Sequence, residues 1–175
     1  MNECMSSFSG MVSGELSEGL NQLKSEHPPL LKDLENLYSL VQIIEGNPAL
    51  ENSFLDLIDK VSAFLAELEP HSIREEEVLF PMMGTYIGTS SGPIAVMEYE
   101  HDQAKKLIGT FLEKTTVEKV FKTTEVLELA GLIKQAYFIL TEHFSKEENV
   151  LFPMAERMLS IEEKAELLHK IRESM

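Results

Sequence analysis

Apolar residues recur every three or four positions along almost the whole chain, which is the spacing of the buried face of an α-helix. This pattern predicts long helices over residues 16–45, 51–80, 93–114 and 125–152, followed by a short amphipathic helix over residues 161–173. No stretch alternates between apolar and polar residues as a half-buried strand would. Long helices with short connections predict an all-α fold, an antiparallel up-down-up-down four-helix bundle with a short C-terminal helix.

Prolines and glycines interrupt the helical pattern at a few places. Pro28 and Pro29 predict a break or kink in the first helix, because proline lacks the backbone N–H that a helix interior uses. Residues 84–92 (GTYIGTSSG) predict the clearest loop of the chain. Residues 1–14, rich in serine and glycine, predict a flexible lead-in, so we expect one domain over residues 15–175.

Composition and charge narrow the functional classes. The 175 residues include 30 acidic and 15 basic side chains, and the resulting net charge of −15 repels nucleic-acid phosphates and anionic lipid. No apolar run approaches the ~18 residues that a membrane span needs, and no secretory-signal pattern is recognisable. The lone cysteine, Cys4, fits a reducing compartment. We therefore expect a cytoplasmic protein that binds neither nucleic acid nor membranes.

An internal repeat is the most informative feature of the sequence. Residues 71–82 read HSIREEEVLFPM and residues 143–154 read HFSKEENVLFPM, with eight of twelve positions identical. The chain therefore divides into two tandem helical hairpins, over about residues 15–83 and 93–158. Shared core packing explains the common valine, leucine and phenylalanine, but it does not explain why a histidine and a glutamate are also common to both copies.

The polar residues of the repeat predict a metal site. Within each copy, the histidine and the glutamate four residues later share one face of a helix. The first helix of each hairpin carries a further Glu-His pair. The candidate ligands are His27, His71, Glu75, His101, His143 and Glu147. Carboxylates buried together repel each other and resist losing water, so a pair of divalent cations, which both glutamates can bridge, makes this cluster tolerable.

The chemistry of the candidate ligands limits the choice of metal. Imidazole nitrogen and carboxylate oxygen, without thiolate, suit iron, manganese or zinc rather than calcium or magnesium, which prefer oxygen ligands. Six protein ligands on two ions leave open positions at which dioxygen, nitric oxide or water can bind. The residues alone leave open which of the three metals is bound and which histidines share an ion.

Several polar residues near the candidate ligands need a separate interpretation. We expect Glu76 and Glu148, which follow the two candidate glutamates, to face solvent or to hydrogen-bond a neighbour rather than to support a ligand. Three more glutamates precede histidines, and each either accepts an imidazole N–H or is a solvated acid: Glu26, Glu100 and Glu142. We expect His169, in the C-terminal helix, to be a surface histidine.

The doubled motif resembles the hemerythrin-like (HHE cation-binding) domain family. The family pattern is Glu-His on one helix and His-x-x-x-Glu with a downstream Leu-Phe-Pro on the next, used twice, and here it covers about residues 15–158. The resemblance implies a hemerythrin-like four-helix bundle. It also implies two iron ions in an oxo- or hydroxo-bridged centre, with Glu75 and Glu147 as the bridging residues.

Within this family, four histidines and two glutamates resemble the repair-of-iron-centres type, as does the segment GPIAVMEYEHDQA at residues 92–104. Oxygen carriers have a fifth histidine at His-x-x-x-His spacing, where this chain has Leu31 and Lys105. The resemblance implies a di-iron protein of the response to nitrosative or oxidative stress, acting in iron–sulfur cluster repair or in NO or O2 chemistry. Its partners would then be O2 or NO and damaged iron–sulfur proteins.

Two alternatives stay open at this point. The first is a module that binds, stores or senses O2 or NO reversibly without turnover. The second is a di-iron oxidoreductase, which would need a general acid or a substrate pocket. Tyr86, Tyr99 and Tyr137 are candidates for such a pocket, although we expect each of them to pack in the core.

Overall fold

Helices account for nearly all of the protein in this computed structural model, which describes residues 14–117 and 120–175. The helices are α1 (Glu18–Gly46), α2 (Glu51–Arg74), α3 (Phe80–Ile87), α4 (Gly92–Val117), α5 (Thr123–Lys146), α6 (Phe152–Met158) and α7 (Ile161–Glu173). Two π-helical turns join α2 to α3 and α5 to α6, namely π1 (Glu75–Leu79) and π2 (Glu147–Leu151). The described residues contain no strand, so the all-α prediction is confirmed. Cys4 and nearly all of the predicted lead-in lie outside the described residues.

Helix α1 continues through Pro28 and Pro29, so of the break or kink predicted after His27 the break does not occur. Both prolines are exposed, whereas His27 and Leu30 on either side of them are buried. The backbone carbonyls that the prolines leave without a donor therefore face water, which can hydrogen-bond them. A proline pair on the solvent side of a helix is tolerated where one on the buried side would not be.

The π-helical turns are a feature that the sequence did not predict. In π1 the N–H of Phe80 donates to the carbonyl of Glu75, and in π2 the N–H of Phe152 donates to the carbonyl of Glu147. These hydrogen bonds span five residues rather than the four of an α-helix, which widens the turn. In each copy the next residue is a proline, which has no N–H to donate and lies in the first turn of the α-helix that follows.

The loop before α4 is shorter than predicted. Helix α3 extends to Ile87, so residues 84–87 of the predicted loop are helical. Gly88 and Gly92 bound the remaining connection with φ values of 75° and 76°, a left-handed conformation that glycine adopts without strain. The helix was missed because its residues include Gly84 and β-branched side chains, which are poor helix formers.

The long helices pack around two apolar clusters. Helix α1 packs against α2 and α5, and α4 packs against the same two helices. The large cluster includes Leu34, Val41, Phe64, Ile108 and Phe111. The small cluster includes Leu20, Leu79, Phe80, Met97 and Phe152. Among the described residues, no helix has the length and apolar character that crossing a bilayer would require.

Helix α7 closes the structure over the small cluster. Ser160 caps it by accepting the N–H of Glu163 at 3.1 Å, while the Glu163 carboxylate accepts the N–H of Ser160 at 2.8 Å. Leu167 is fully buried in the small cluster and approaches Gly19 of α1 so closely that a Cβ there would lie 3.1 Å from the Leu167 Cγ. Helix α7 therefore packs on α1 and also contacts π1.

Replacing Leu167 with alanine should lower the free energy of unfolding by about 2–4 kcal/mol, because it removes a buried side chain and leaves a cavity. Urea unfolding followed by circular dichroism measures the change. Ile161→Ala, at an 81% exposed position of the same helix, is the control and should change stability by less than about 0.5 kcal/mol. Equal effects of the two substitutions would contradict the packing of α7 described above.

Candidate metal centre

The structure brings all six predicted ligand residues together between the two apolar clusters. Each of these side chains is at most 1% exposed. They are His27 of α1, His71 of α2, Glu75 of π1, His101 of α4, His143 of α5 and Glu147 of π2. We call this group the cage.

The first cage carboxylate lies between two histidines. The Oε2 atom of Glu75 is 3.5 Å from the Nε2 of His71 and 3.5 Å from the Nε2 of His101. His71 belongs to the same copy of the repeat, one helical turn away, whereas His101 belongs to the second copy. Glu75 therefore faces one imidazole from each copy.

The second cage carboxylate repeats this arrangement. Glu147 approaches the Nε2 of His143 to 3.0 Å and the Nε2 of His27 to 3.3 Å. His143 is again one turn away on the same chain segment, and His27 comes from the first copy. Each cage glutamate therefore also approaches a histidine of the other copy, Glu75 approaching His101 and Glu147 approaching His27.

Eight inward-facing atoms of the cage have no hydrogen-bond partner among the described residues. They are the Nε2 atoms of the four histidines and both carboxylate oxygens of Glu75 and Glu147. Leaving a buried polar atom unpaired costs about 1–3 kcal/mol. Converging imidazole nitrogens and carboxylate oxygens are the donors that a transition-metal ion takes, so the residues present fit a metal site.

The cage atoms fall into two overlapping groups, in each of which one ligand atom per residue lies within 4.8 Å of all the others. The first group is His27, His71, Glu75 and Glu147, and the second is His101, His143, Glu75 and Glu147. The two histidines in a group come from the same copy of the repeat, and both glutamates are shared. This geometry gives a pairing of histidines that the sequence had left open.

A second layer of four glutamates, the outer glutamates, binds the other ring nitrogen of each imidazole. The pairs and their Nδ1–Oε distances are His27–Glu148 (2.9 Å), His71–Glu26 (2.8 Å), His101–Glu76 (2.7 Å) and His143–Glu100 (3.1 Å). When Nδ1 donates its proton to a carboxylate, the neutral imidazole presents the lone pair of Nε2 to the cage.

The positions of the outer glutamates overturn one expectation from the sequence and decide between two alternatives in another. Glu76 and Glu148 support histidines, so the expectation that they would not do so is wrong. Each directly follows a cage glutamate within a π-helical turn, and its side chain reaches the histidine of the other copy. Glu26 and Glu100 also accept an imidazole N–H, although not from the adjacent histidine, and Glu142 is exposed.

Each outer glutamate is also paired with a basic side chain. The pairs are Glu26–Arg74 (2.9 Å), Glu76–Lys105 (2.7 Å), Glu100–Lys146 and Glu148–Lys24 (3.9 Å). The four acids and four bases of this layer balance each other. With neutral imidazoles, the uncompensated charge at the centre is therefore that of the two cage carboxylates, which attracts cations.

The pKa values of two cage residues reflect the same negative charge at the centre. Burial acts to lower the pKa of the His143 imidazolium, but the carboxylates of Glu100 and Glu147 outweigh it and raise this pKa to about 10. Burial acts to raise the pKa of Glu147, yet His143 and His27 hold that pKa well below its usual range. The cage thus favours positive charge, and metal ions must displace protons from the imidazoles in order to bind.

The remaining candidates lie outside the cage. His169 is a surface residue, as expected, with a side chain 72% exposed. Tyr86 and Tyr99 are 51% and 63% exposed, so the expectation that they pack in the core is wrong. Tyr137 is partly buried and stacks on Tyr38 with ring centroids 4.3 Å apart.

Comparison with known proteins gives the family and a set of relatives. The family model described as hemerythrin HHE cation binding domain matches residues 18–155 of the chain. The iron-sulfur cluster repair protein YtfE of Salmonella typhimurium is 37% identical over 98 residues, which cover 54% of this chain and 44% of that protein. The protein of the same name from Escherichia coli is 39% identical over 94 residues, covering 51% of this chain and 42% of that protein. The matched segment therefore spans less than half the length of either relative.

The outer glutamates should control metal affinity through the imidazoles. Replacing Glu76 with alanine should weaken the binding of a divalent metal by about 10–100-fold, because His101 loses the acceptor that fixes its tautomer and orientation. Competition with a chromophoric chelator, using cobalt(II) or zinc(II), measures the change. Glu142→Ala, which removes an exposed glutamate beside His143, is the matched control and should leave the affinity unchanged. Equal affinities of all three proteins would show that Glu76 plays no part in binding.

Proposed function

The chain belongs to the hemerythrin HHE cation-binding domain family, and from that premise we propose that it is a non-haem di-iron protein of the response to nitrosative or oxidative stress that acts in iron–sulfur cluster repair. The observation that carries the proposal is the set of eight inward-facing cage atoms without hydrogen-bond partners among the described residues. Only cations bound between them, protons or metal ions, make such a cluster stable inside an apolar core.

In this proposal, the two groups of cage residues hold one iron ion each. His27 and His71 would hold the first ion and His101 and His143 the second, and Glu75 and Glu147, which belong to both groups, would serve both ions. Manganese or zinc would satisfy the same donors, and iron is preferred because the curated relatives are named for the repair of an iron-containing group. Bound iron would supply electron exchange and open coordination positions for a small ligand such as O2 or NO.

The surrounding residues would orient the ligands and exclude water. The outer glutamates keep each Nε2 directed inward. Aromatic rings cover the outer faces of the imidazoles: Phe144 lies 4.6 Å from His27 between ring centroids, and Phe80 lies 5.7 Å from His101. The resulting low-polarity wall strengthens electrostatic interactions inside the cage.

We also propose that one domain over residues 15–175 contains two tandem hairpins, with the four long helices running up-down-up-down. The order of the apolar clusters along the chain supports this arrangement. On α1 and α4, small-cluster residues precede the cage histidine and large-cluster residues follow it. On α2 and α5, large-cluster residues precede the cage histidine, and small-cluster residues follow only beyond the helix, in π1 and α3 and in π2 and α6. The short connections between α1 and α2 and between α4 and α5 have the same implication.

The residues at two positions favour the repair role over reversible binding, storage or sensing of O2 or NO. Where oxygen carriers of the resembled family have a fifth histidine, this chain has Leu31 and Lys105. Leu31 packs against the large cluster, and the Lys105 ammonium donates to Glu76 at 2.7 Å, so neither takes a place in the cage. The proposed partners are damaged iron–sulfur proteins and, as small ligands, O2 or NO.

Protein purified from cells and protein reconstituted with ferrous iron under nitrogen should contain two iron ions per chain. The His71→Ala variant should lose iron and a large part of its thermal stability, because metal-binding energy is also folding energy. Elemental analysis and thermal unfolding measure both effects. His169→Ala, which removes the exposed histidine, is the control and should match the unmodified protein. Unchanged iron content in His71→Ala would contradict the ligand assignment.

The iron-loaded protein should restore activity to an iron–sulfur dehydratase that nitric oxide has inactivated, and the metal-free protein should not. The assay follows dehydratase turnover with time after mixing. In parallel, the optical spectrum is recorded while O2 is admitted and then removed with nitrogen. A fully reversible spectral change without any recovery of the dehydratase would favour the binding module instead.

A further inference from the structure

A groove of about 620 Å³ lies between α1 and α2 and reaches His71 of the cage. Its inner end, beside the cage, is lined by His71, Glu26 and Arg74, which hydrogen bonds join, and its lining also includes Ala63 and Asp33. His71 is the only cage residue that lines this groove. The groove therefore approaches the cage on the side of His27 and His71, within the first copy of the repeat.

In the second copy of the repeat, apolar side chains occupy the positions equivalent to charged residues of the groove. The first helices of the two copies are offset by 74 residues (101 − 27) and the second helices by 72 residues (143 − 71). Three charged residues of the groove, Asp33, Lys60 and Glu67, correspond to Leu107, Leu132 and Ile139. These three apolar residues pack against the large cluster. The two halves of the cage thus differ in what separates them from solvent.

The residues that line the groove suit a hydrated cation. Three carboxylates, those of Glu26, Asp33 and Glu67, face two basic groups, those of Lys60 and Arg74, so the lining has an excess of one negative charge. Arg74 is only 9% exposed and its Nε has no partner among the described residues, so the inner end is polar enough to hold water. At about 30 Å³ per water, a divalent ion with six waters needs roughly 200 Å³, which this groove accommodates.

We propose that the groove is the route by which a hydrated divalent cation enters and leaves the His27–His71 half of the cage, and that the His101–His143 half exchanges more slowly. The inference rests on the proposed function, because it presupposes two bound ions. To leave, the ion would exchange His27, His71, Glu75 and Glu147 for water, without change of oxidation state. The iron available to a damaged cluster is then the ion held by the first copy of the repeat.

The test uses the full chain loaded with two equivalents of ferrous iron under nitrogen and mixed with an excess of a ferrous chelator. Release, followed by the absorbance of the chelate, should occur in two phases of equal amplitude, one for each ion. Ala63→Trp places a large side chain on the exposed wall of the groove and should abolish the fast phase, leaving both ions to leave at the slow rate. Gln135→Trp, at the equivalent exposed position of the second copy, should leave both phases unchanged.

A second variant protects the test against misfolding of Ala63→Trp. The double substitution Asp33→Leu with Glu67→Ile introduces the residues of the second copy, and it should slow the fast phase by about tenfold, since it changes the net charge of the groove lining from −1 to +1 and so replaces attraction of cations with repulsion. Release in a single phase, or a fast phase that neither variant alters, overturns the route while leaving the di-iron assignment intact. A chain that never retains two ions overturns the proposed function, and the route with it.

Discussion

Two carboxylates and four imidazoles buried in an apolar core impose the constraint on which the rest of this structure depends. Charged and polar groups lose their hydration there, and the loss has to be compensated within a few ångströms. The outer glutamates compensate the Nδ1 atoms, and basic side chains compensate the outer glutamates. The compensation stops at the inward-facing atoms, which gives the centre the donors that a cation needs. The apolar clusters on both sides then keep water from taking that role.

The sequence predicted the helices and the residues of the cage because both follow from local spacing. An apolar residue every three or four positions specifies a helix, and a histidine followed four residues later by a glutamate specifies one polar face. Because this face occurs twice, in His71-x-x-x-Glu75 and His143-x-x-x-Glu147, it could be distinguished from the ordinary solvent-facing residues of a helix. The structure brings these side chains together, and the match to the hemerythrin family model confirms the resemblance on which the fold prediction drew.

The features that the sequence did not predict depend on neighbouring helices rather than on spacing within one helix. Glu76 and Glu148 follow cage residues and carry charge, so nothing local distinguishes them from solvated acids, yet each reaches a histidine of the other copy. Proline composition predicted a break in α1, whereas the exposed position of both rings preserves the helix. The π-helical turns were likewise missed, because local periodicity treats the proline that follows each of them as a simple boundary.

The reciprocal reach of Glu75 towards His101 and of Glu147 towards His27 has a consequence for how the molecule assembles. Neither half of the chain carries all six cage residues, since each supplies two imidazoles and a single central carboxylate. With two ions bound as proposed, docking of the halves and capture of the metal would be one cooperative event, and the polypeptide linking the halves would set the effective concentration at which it occurs. A single chain would then retain metal that two separate halves would lose on dilution.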